Sequence, residues 1–428
     1  VASTNAEQSV GAPAELRIDQ RLDCAGLSYL ERLGILYVAD IRLTIVMELN
    51  TREMGVQQFY DTVGGSSYAS VWAHFEKLVE HGWIRWVRDA PTGRKGRPEG
   101  LYRATEPVLI DTETWRTIPV SIRDGFTVML LEDMGARLGE ALEDGLAEAR
   151  ADRIGAFRTF EVDEQGWCKA HAAVERCFKT IQDLRIDAKI RLDKHPDDSF
   201  LMIVNLAAFE APGAQPPPGL ALPKAEEALP AKSWPLRIGK VFSDRTNLAI
   251  VDELNRAART PAQLQETLEL DGANAREGIL RRCKRLTKLG WAVNVGTETG
   301  GPLYGANVYQ FRAASPNVSE RDIVGGIPSG LRTGKSWDAF HRFVASSLSA
   351  LEAGTFNNRD DRHLSMSPIV VDEIGWRQVT DALRTYRETL RKLQSETRRR
   401  RSKKAKSERF PAAFLMDSFQ APLREIRP

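Results

Sequence analysis

Lys77-Leu78-Val79-Glu80-His81-Gly82-Trp83 returns, 208 positions later, as Arg285-Leu286-Thr287-Lys288-Leu289-Gly290-Trp291. Both stretches close an amphipathic helix on glycine, the residue that tolerates the left-handed turn after a helix C-terminus. Both then pass at once into tryptophan. Three further pairs keep the same order. Leu43-Thr44-Ile45-Val46-Met47-Glu48-Leu49-Asn50 matches Leu248-Ala249-Ile250-Val251-Asp252-Glu253-Leu254-Asn255. Val162-Asp163-Glu164-Gln165-Gly166-Trp167 matches Val371-Asp372-Glu373-Ile374-Gly375-Trp376, and Phe209-Glu210-Ala211-Pro212 matches Phe419-Gln420-Ala421-Pro422. The offsets of 205, 208, 209 and 210 drift little, so the expectation is a tandem duplication of a unit of roughly 180 residues, the size of a domain. A fused pair imitates a homodimer, yet its halves need not stay symmetric.

Working outward, each half shows three helical patterns and then a hairpin. Ile41, Leu43, Ile45, Val46 and Leu49 share one helix face, as do Leu248, Ile250, Val251 and Leu254. A short second helix is expected over Val56 to Thr62 and over Pro261 to Leu270, the latter capped by Thr260 with proline at its first position. The third starts near Ser66 or Asn274. It buries Val71, Phe75, Leu78 and Val79 in the first half, and Ile279, Cys283 and Leu286 in the second. Strands follow over Trp83 to Val87 with Leu101 to Ala104, and over Trp291 to Val295 with Asn307 to Phe311. Three helices and a hairpin make a winged helix-turn-helix arrangement.

The stretch from Ser70 to Ile84 resembles the recognition helix of ArsR-type bacterial transcriptional regulators, which typically reads x-V-S-x-H-L-x-x-L-x-x-x-G-L-V. Val71, His74, Phe75, Leu78, Gly82 and Trp83 fill that pattern. The second half keeps Ile279, Leu286, Gly290 and Trp291 but has Arg282 in place of the histidine. Both halves continue like helix-turn-helix members of that family, with Asp-Glu-x-Gly-Trp opening a long helix and a Phe-x-x-Pro segment closing the unit. The resemblance spans nearly the whole chain apart from its N-terminal tail and linker. It implies DNA binding and dimerisation through the long helical regions, here within one chain. The closely spaced cysteines of the family's metal sensors are absent.

The rest of the chain fits that plan. Its 428 residues, 42% hydrophobic and 28% charged, suit a globular protein with two folding units. A net charge of +2 means that nucleic-acid attraction must come from local patches. The expected fold is mainly α with small β-hairpin wings: two winged helix-turn-helix units, each followed by long helices, forming an intramolecular pseudo-dimer. The expected layout is a tail and lead-in helix (1–35), a first winged-helix domain (36–110) and a first helical dimerisation region (111–212). A Pro-rich linker (213–235), a second winged-helix domain (236–313) and a second helical region (314–428) follow. The long helices are expected over Val120 to Arg150, Val162 to Asp193, Ser336 to Ala353 and Val371 to Arg400. Cys24, Cys168, Cys177 and Cys283 form no C-x-x-C pair and read as reduced, mostly buried thiols. No apolar run reaches the length of a membrane span and no secretory leader is evident, so a cytoplasmic location without membrane association is expected.

The candidate DNA contacts lie on the third helices and the wing. In the first half they are Ser67, Tyr68, Ser70 and Trp72, with His74 and Lys77 nearer the DNA backbone, and the wing residues Arg94, Lys95 and Arg97. In the second they are Asn274, Arg276, Arg281, Arg282 and Arg285, arginine being the best bidentate reader of guanine. A solvated amphipathic face would carry similar charges. The basic run Arg398 to Lys406 fits either a phosphate grip or a solvated helix end. Trp115, Trp167, Phe178, Trp337, Phe343 and Trp376 could line a pocket for a small-molecule effector or could simply be core. Asp360, Asp361 and His363 read as a polar turn more readily than as a metal site. No nucleotide-loop, nucleophile-elbow or zinc-protease motif occurs, so neither an enzyme nor a cofactor is expected. The partner is double-stranded DNA, with the third helices in major grooves about one turn (~34 Å) apart. The job is transcriptional regulation, most simply repression. The rival is a protein-interaction scaffold whose winged helices have lost DNA binding, a reading that the exposed position of Trp72 favours.

Overall fold

Ser28 opens the first helix with a reciprocal cap: its hydroxyl accepts from the Glu31 amide, and the Glu31 carboxylate accepts from the Ser28 amide. From there α1 (Tyr29–Tyr37), α2 (Asp40–Thr51), α3 (Val56–Val63) and α4 (Tyr68–Glu80) lead to a hairpin of β1 (Ile84–Ala90) and β2 (Glu99–Ala104). This is the first of two compact units, Val1–Glu106 and Pro107–Pro428. The computed structural model describes residues 27–63, 67–90, 99–105, 110, 112–192, 194–195, 198–212, 234–272, 274–299, 307–314, 319–400 and 409–422. The Pro-rich segment and the N-terminal tail lie outside them. Among the described residues the chain is mainly helical with small antiparallel sheets, and no helix is long and apolar enough to cross a membrane.

In the first unit the core is made by Ile45, Val46, Leu49, Phe59, Val71, Phe75, Leu78 and Trp83. Val79, expected on the buried stripe, is 41% exposed, because it follows Leu78 by ~100° around the helix. A buried lock ties helix to hairpin. Trp83 donates from Nε1 to the Arg32 carbonyl at 3.1 Å, Arg32 donates from Nε to the His81 carbonyl at 3.0 Å, and its guanidinium lies over the Trp83 ring. Gly82 holds φ 68°, which only glycine adopts at little cost.

The second unit begins with α5 (Thr112–Thr117), α6 (Val120–Glu143), β3 (Gly155–Asp163), α7 (Glu164–Leu192) and β4 (Phe200–Glu210). Next come α8 (Trp234–Phe242), α9 (Arg245–Arg256), α10 (Pro261–Thr267), α11 (Ala275–Lys288) and the hairpin β5 (Ala292–Thr299) with β6 (Asn307–Ala313). It ends with α12 (Glu320–Val324), α13 (Gly334–Glu352), β7 (His363–Val371), α14 (Glu373–Arg400) and β8 (Arg409–Ala421). From α8 to β6 the pattern of α1 to β2 recurs in detail. Trp291 donates to the Arg237 carbonyl at 3.2 Å and Arg237 to the Leu289 carbonyl at 2.8 Å. Gly290 has φ 73°. The hairpins are irregular at matching places, between Trp86 and Arg88 and between Asn294 and Gly296. Thr260 caps α10 as expected, with Pro261 inside the start. The array docks on α6: Trp234 donates to Glu132 at 3.1 Å, Asn255 bonds Ser121, and Gly125 leaves room for the Trp291 ring.

A four-stranded antiparallel sheet, absent from the sequence-based expectation, organises this unit. Its order is β3-β8-β4-β7, so strands from the two halves of the chain alternate. Val162 lies opposite Phe410 on one flank, and Val371 opposite Phe200 on the other. These pairs match under the sequence offsets of 209 and 210, so the sheet has quasi-twofold symmetry, with Leu206 opposite Met416 at its centre. Both faces are covered. One carries Val162, Met202, Val204, Phe414 and Met416 against α7 and α14. The other carries Ile203, Phe209, Leu415 and Phe419 against α6 and α13.

The sheet also explains where the long helices begin. Val162 and Asp163 belong to β3, and Val371 to β7, not to the helices expected there. Asp163 and Asp372 instead cap α7 and α14, each accepting from the amide of Gly166 or Gly375 at 2.8 Å. A Cβ at either glycine would stand 3.0 Å from that carboxylate. Each cap is then clasped from the other half. Arg400 meets Asp163 through two contacts of 3.0 and 2.9 Å, and Arg191 meets Asp372 through 2.6 and 2.7 Å. The Arg191 guanidinium pulls the Asp372 carboxyl down to about 2. α6 stops at Glu143, short of the expected Arg150, where Gly145 takes φ 69°.

One buried carboxyl is mismatched to its surroundings. Asp417 faces Asn205 across the central ladder at 3.5 Å, and both Oδ1 atoms lack a partner among the described residues. Burial pushes Asp417 up to about 7, against the pull of Arg153. The unfolded value is ~3.9, so the native state holds a proton that the unfolded chain releases. Its contribution to stability is full below about pH 4 and is lost as pH rises to about 7. Asp417→Asn should therefore be more stable than the parent at about pH 8, by roughly 1–4 kcal/mol, with the advantage shrinking toward pH 4.5. Urea unfolding at both pH values checks this; equal parent and variant stability at the higher pH would refute it.

Candidate nucleic-acid interface

Ser67 caps α4, accepting from the Ser70 amide at 3.1 Å, one residue later than one of the expected starts. Its exposed side begins with Ser67, Tyr68 and Trp72, while Ser70 is half-buried. Tyr68 and Trp72 stack at 6.5 Å between centroids, with Tyr60 edge-on to Tyr68 at 6.3 Å. Tyr68 and Trp72 remain 40% and 41% exposed, an aromatic step on an open helix face. Farther along, Lys77 is neutralised by Glu80 at 2.8 Å.

His74 is turned inward. Its Nδ1 accepts from Arg42 Nε at 3.2 Å, and Arg42 also donates to the Ile35 carbonyl at 2.7 Å. Burial, with the Arg42 guanidinium beside it, holds His74 below the ordinary imidazole range. The neutral ring joins α4 to α2. The matching pair in the second half has exchanged its charge: Asn247 stands where Arg42 does, and Arg282 where His74 does. Arg282 donates to Asn247 Oδ1 at 3.1 Å and pairs with Asp244, the N-cap of α9. Arg282 is therefore engaged inside the helical array rather than held out from it.

The exposed face of α11 is different. Arg276, Arg281, Arg285 and Lys288 stand exposed and make no ion pair with the described residues. Lys284 lies over the Tyr309 ring at 5.1 Å. At the positions of Arg281, Lys284, Arg285 and Lys288, α4 carries Ala73, Glu76, Lys77 and Glu80. The two faces are thus opposite in charge where they are most open. Glu76 and Glu80 were not singled out in the sequence, although setting the third helices side by side exposes the contrast. Asn274 is exposed at the N-cap position of α11 and makes no side-chain cap bond.

The remaining candidates separate. Arg94, Lys95 and Arg97 lie outside the described residues. Of the wing's flanks, Arg88 pairs with Glu53 at 3.1 Å and Glu99 accepts from the Gln57 amide at 2.6 Å. Within the basic run Arg400 is committed to Asp163, and 401–406 lie outside the described residues. The six aromatic residues considered for an effector pocket do not converge. Trp167, Phe178 and Trp376 pack on one face of the sheet, Trp337 and Phe343 on the other, and Trp115 against Phe126. Asp360 meets Arg123, Asp361 accepts from Trp167, and His363 bonds Glu175 and Ser365. Cys177 and Cys283 are buried, which pushes both thiols up to about 12, whereas Cys168 is exposed.

The contrast between neighbouring arginines is measurable. Arg282→Ala should cost on the order of 1 kcal/mol of stability, after discounting the pair for solvent. Arg281→Ala should stay within about 0.5 kcal/mol of the parent. Chemical denaturation of the two variants checks the assignment, and a reversed order would show that Arg282 is the solvent-facing residue. No protein-family model, curated protein or solved structure matches the chain.

Proposed function

We propose that this protein is a sequence-specific double-stranded DNA-binding transcriptional regulator, most simply a repressor. On this reading each half carries a winged helix-turn-helix module of the ArsR type, duplicated in tandem, and the chain acts as its own pseudo-dimer. The observation that carries it is the face of α11, where exposed Arg276, Arg281, Arg285 and Lys288 have no carboxylate partner among the described residues, on the third helix before a hairpin. Free guanidinium groups there can reach base edges, and neighbouring cations can hold phosphates. The positive end of the helix dipole adds to the field of Arg276 alone, since Arg285 and Lys288 stand in the last turn of α11.

The halves contribute unequally. The α4 face offers stacked Tyr68 and Trp72 and two carboxylates. Its contact with a duplex would be sparse, so sequence reading falls mainly to α11. The same face favours a second reading, an interaction scaffold in which α4 docks a protein through its aromatic step.

Selection from a random duplex library at about 0.15 M salt, followed by affinity measurement, separates the readings. The parent should recover a specific motif, and Arg281→Glu with Arg285→Glu should weaken binding by tenfold or more, about 1.4 kcal/mol per factor of ten. Trp72→Ala should change affinity far less. If the charge-reversed variant binds DNA as well as the parent, the regulator reading fails; loss of a protein partner on Trp72→Ala would support the scaffold.

A further inference from the structure

Each place on the four-stranded sheet occurs twice, and one pair of places differs sharply. On the β3 flank, Arg158 lies opposite Phe414, between Ala156 and Phe160 on the face covered by α7 and α14. Arg387 and Arg391, one turn apart on α14, are close enough for Arg158 to feel both charges. On the β7 flank the matching positions are Ser367, opposite Val204, with Phe178 and Gln182 on α7. There Gln182 donates from Nε2 to Ser367 Oγ at 3.4 Å. The fold thus builds the same strand-and-helix junction from neutral residues, and packing does not require three arginines.

Arg158 and Arg387 are half-buried beside exposed Arg391. Burial and the two neighbouring cations hold Arg158 below the usual guanidinium range. None of the three makes an ion pair with the described residues, and the Nε atoms of Arg158 and Arg387 are buried without acceptors. Nearby Arg384 is neutralised by Asp381, but Glu388, exposed on the same helix, pairs with none of the three. Like charges gathered in a partly desolvated place destabilise the fold unless something neutralises them.

We propose that Arg158, Arg387 and Arg391 form a binding site for a phosphate group. Planar guanidinium groups match phosphate oxygens two at a time, and a charge near −2 answers three cations better than one carboxylate would. The phosphate belongs either to a free phosphorylated ligand or to a nucleic-acid backbone, and both present the same oxygens. The site stands apart from α11 and does not depend on the DNA reading.

The test uses the full chain with inorganic pyrophosphate, against chloride at matched ionic strength. Pyrophosphate should raise the thermal midpoint saturably. Arg158→Ser with Arg391→Gln, which reproduces the neutral pair of the other flank, should weaken that response by about tenfold or more. Without ligand, the variant's midpoint should equal or exceed the parent's, since repulsion is removed. A duplex-binding arm identifies the source. A salt slope lower by about two in the variant, without a pyrophosphate response in the parent, assigns the phosphate to a nucleic-acid backbone. A pyrophosphate response lost in the variant with duplex binding unchanged assigns it to a free ligand. The proposal is overturned if the variant keeps the parent's pyrophosphate response. It is also overturned if the parent shows neither that response nor a salt slope that the substitutions reduce. A parent that binds no duplex leaves the decision to pyrophosphate alone.

Discussion

The interleaving of strands in the order β3-β8-β4-β7 is the constraint on which the second unit depends. Every neighbouring pair in it joins one half of the chain to the other, so neither half can form any ladder of this sheet alone. A lone half would leave buried amide and carbonyl groups unpaired, at a cost comparable to losing their hydrogen bonds. The ladder also fixes what lies above and below it. With α7 over β7 and α14 over β3, the C-terminal arginine of each long helix can reach the capping aspartate of the other. Those reciprocal clasps place a cation and a carboxylate at helix ends, where the dipole favours both.

Symmetry of backbone and asymmetry of side chains then coexist. The Trp83 and Trp291 locks, the Asp163 and Asp372 caps and the irregular hairpins are kept in both halves. Chemistry changes wherever geometry permits it. Arg42 with His74 becomes Asn247 with Arg282, moving one positive charge from one helix to the other while preserving a polar bridge. Arg153, joined to Glu148 and Ser336, has Arg362 as its counterpart, bonded to neutral Asn357 and stacked over Trp115. The first exchange keeps a polar bridge, whereas the second replaces the carboxylate partner with a neutral amide, and burial brings the Arg362 guanidinium down to about 9.

The helical parts were legible because their signals are local. Glycines after α4 and α11, the capping box before α10 and the apolar stripes of α2 and α9 need no distant partner to be read. The central sheet was not legible, for a physical reason. Leu201 to Phe209 is almost continuously apolar because helices cover both faces of β4, so the strand lacks the alternation that marks a half-buried one. Its neighbours are about two hundred residues away, and no local pattern specifies such pairing. On the candidate interface, the exposure of Arg281 and Arg285 followed from helical spacing, but the inward turns of His74 and Arg282 did not. Those depend on Arg42, Asp244 and Asn247, residues of another helix.

A covalent pair also changes which surfaces are attainable. In a homodimer built from identical chains, a basic third helix appears twice, and a cluster such as Arg158, Arg387 and Arg391 would double its repulsion across both flanks of the sheet. Under the duplication reading, one chain can carry a cationic α11 as well as an acidic and aromatic α4 face, and a charged sheet flank as well as a neutral one. The interleaved sheet bears the folding requirement of the second unit, while the first unit keeps a core of its own. Each exposed position is then held by its own electrostatic and packing cost, and the central ladder diverges too, with Asn205 and Asp417 paired where the two-fold mates are Leu415 and Ala207.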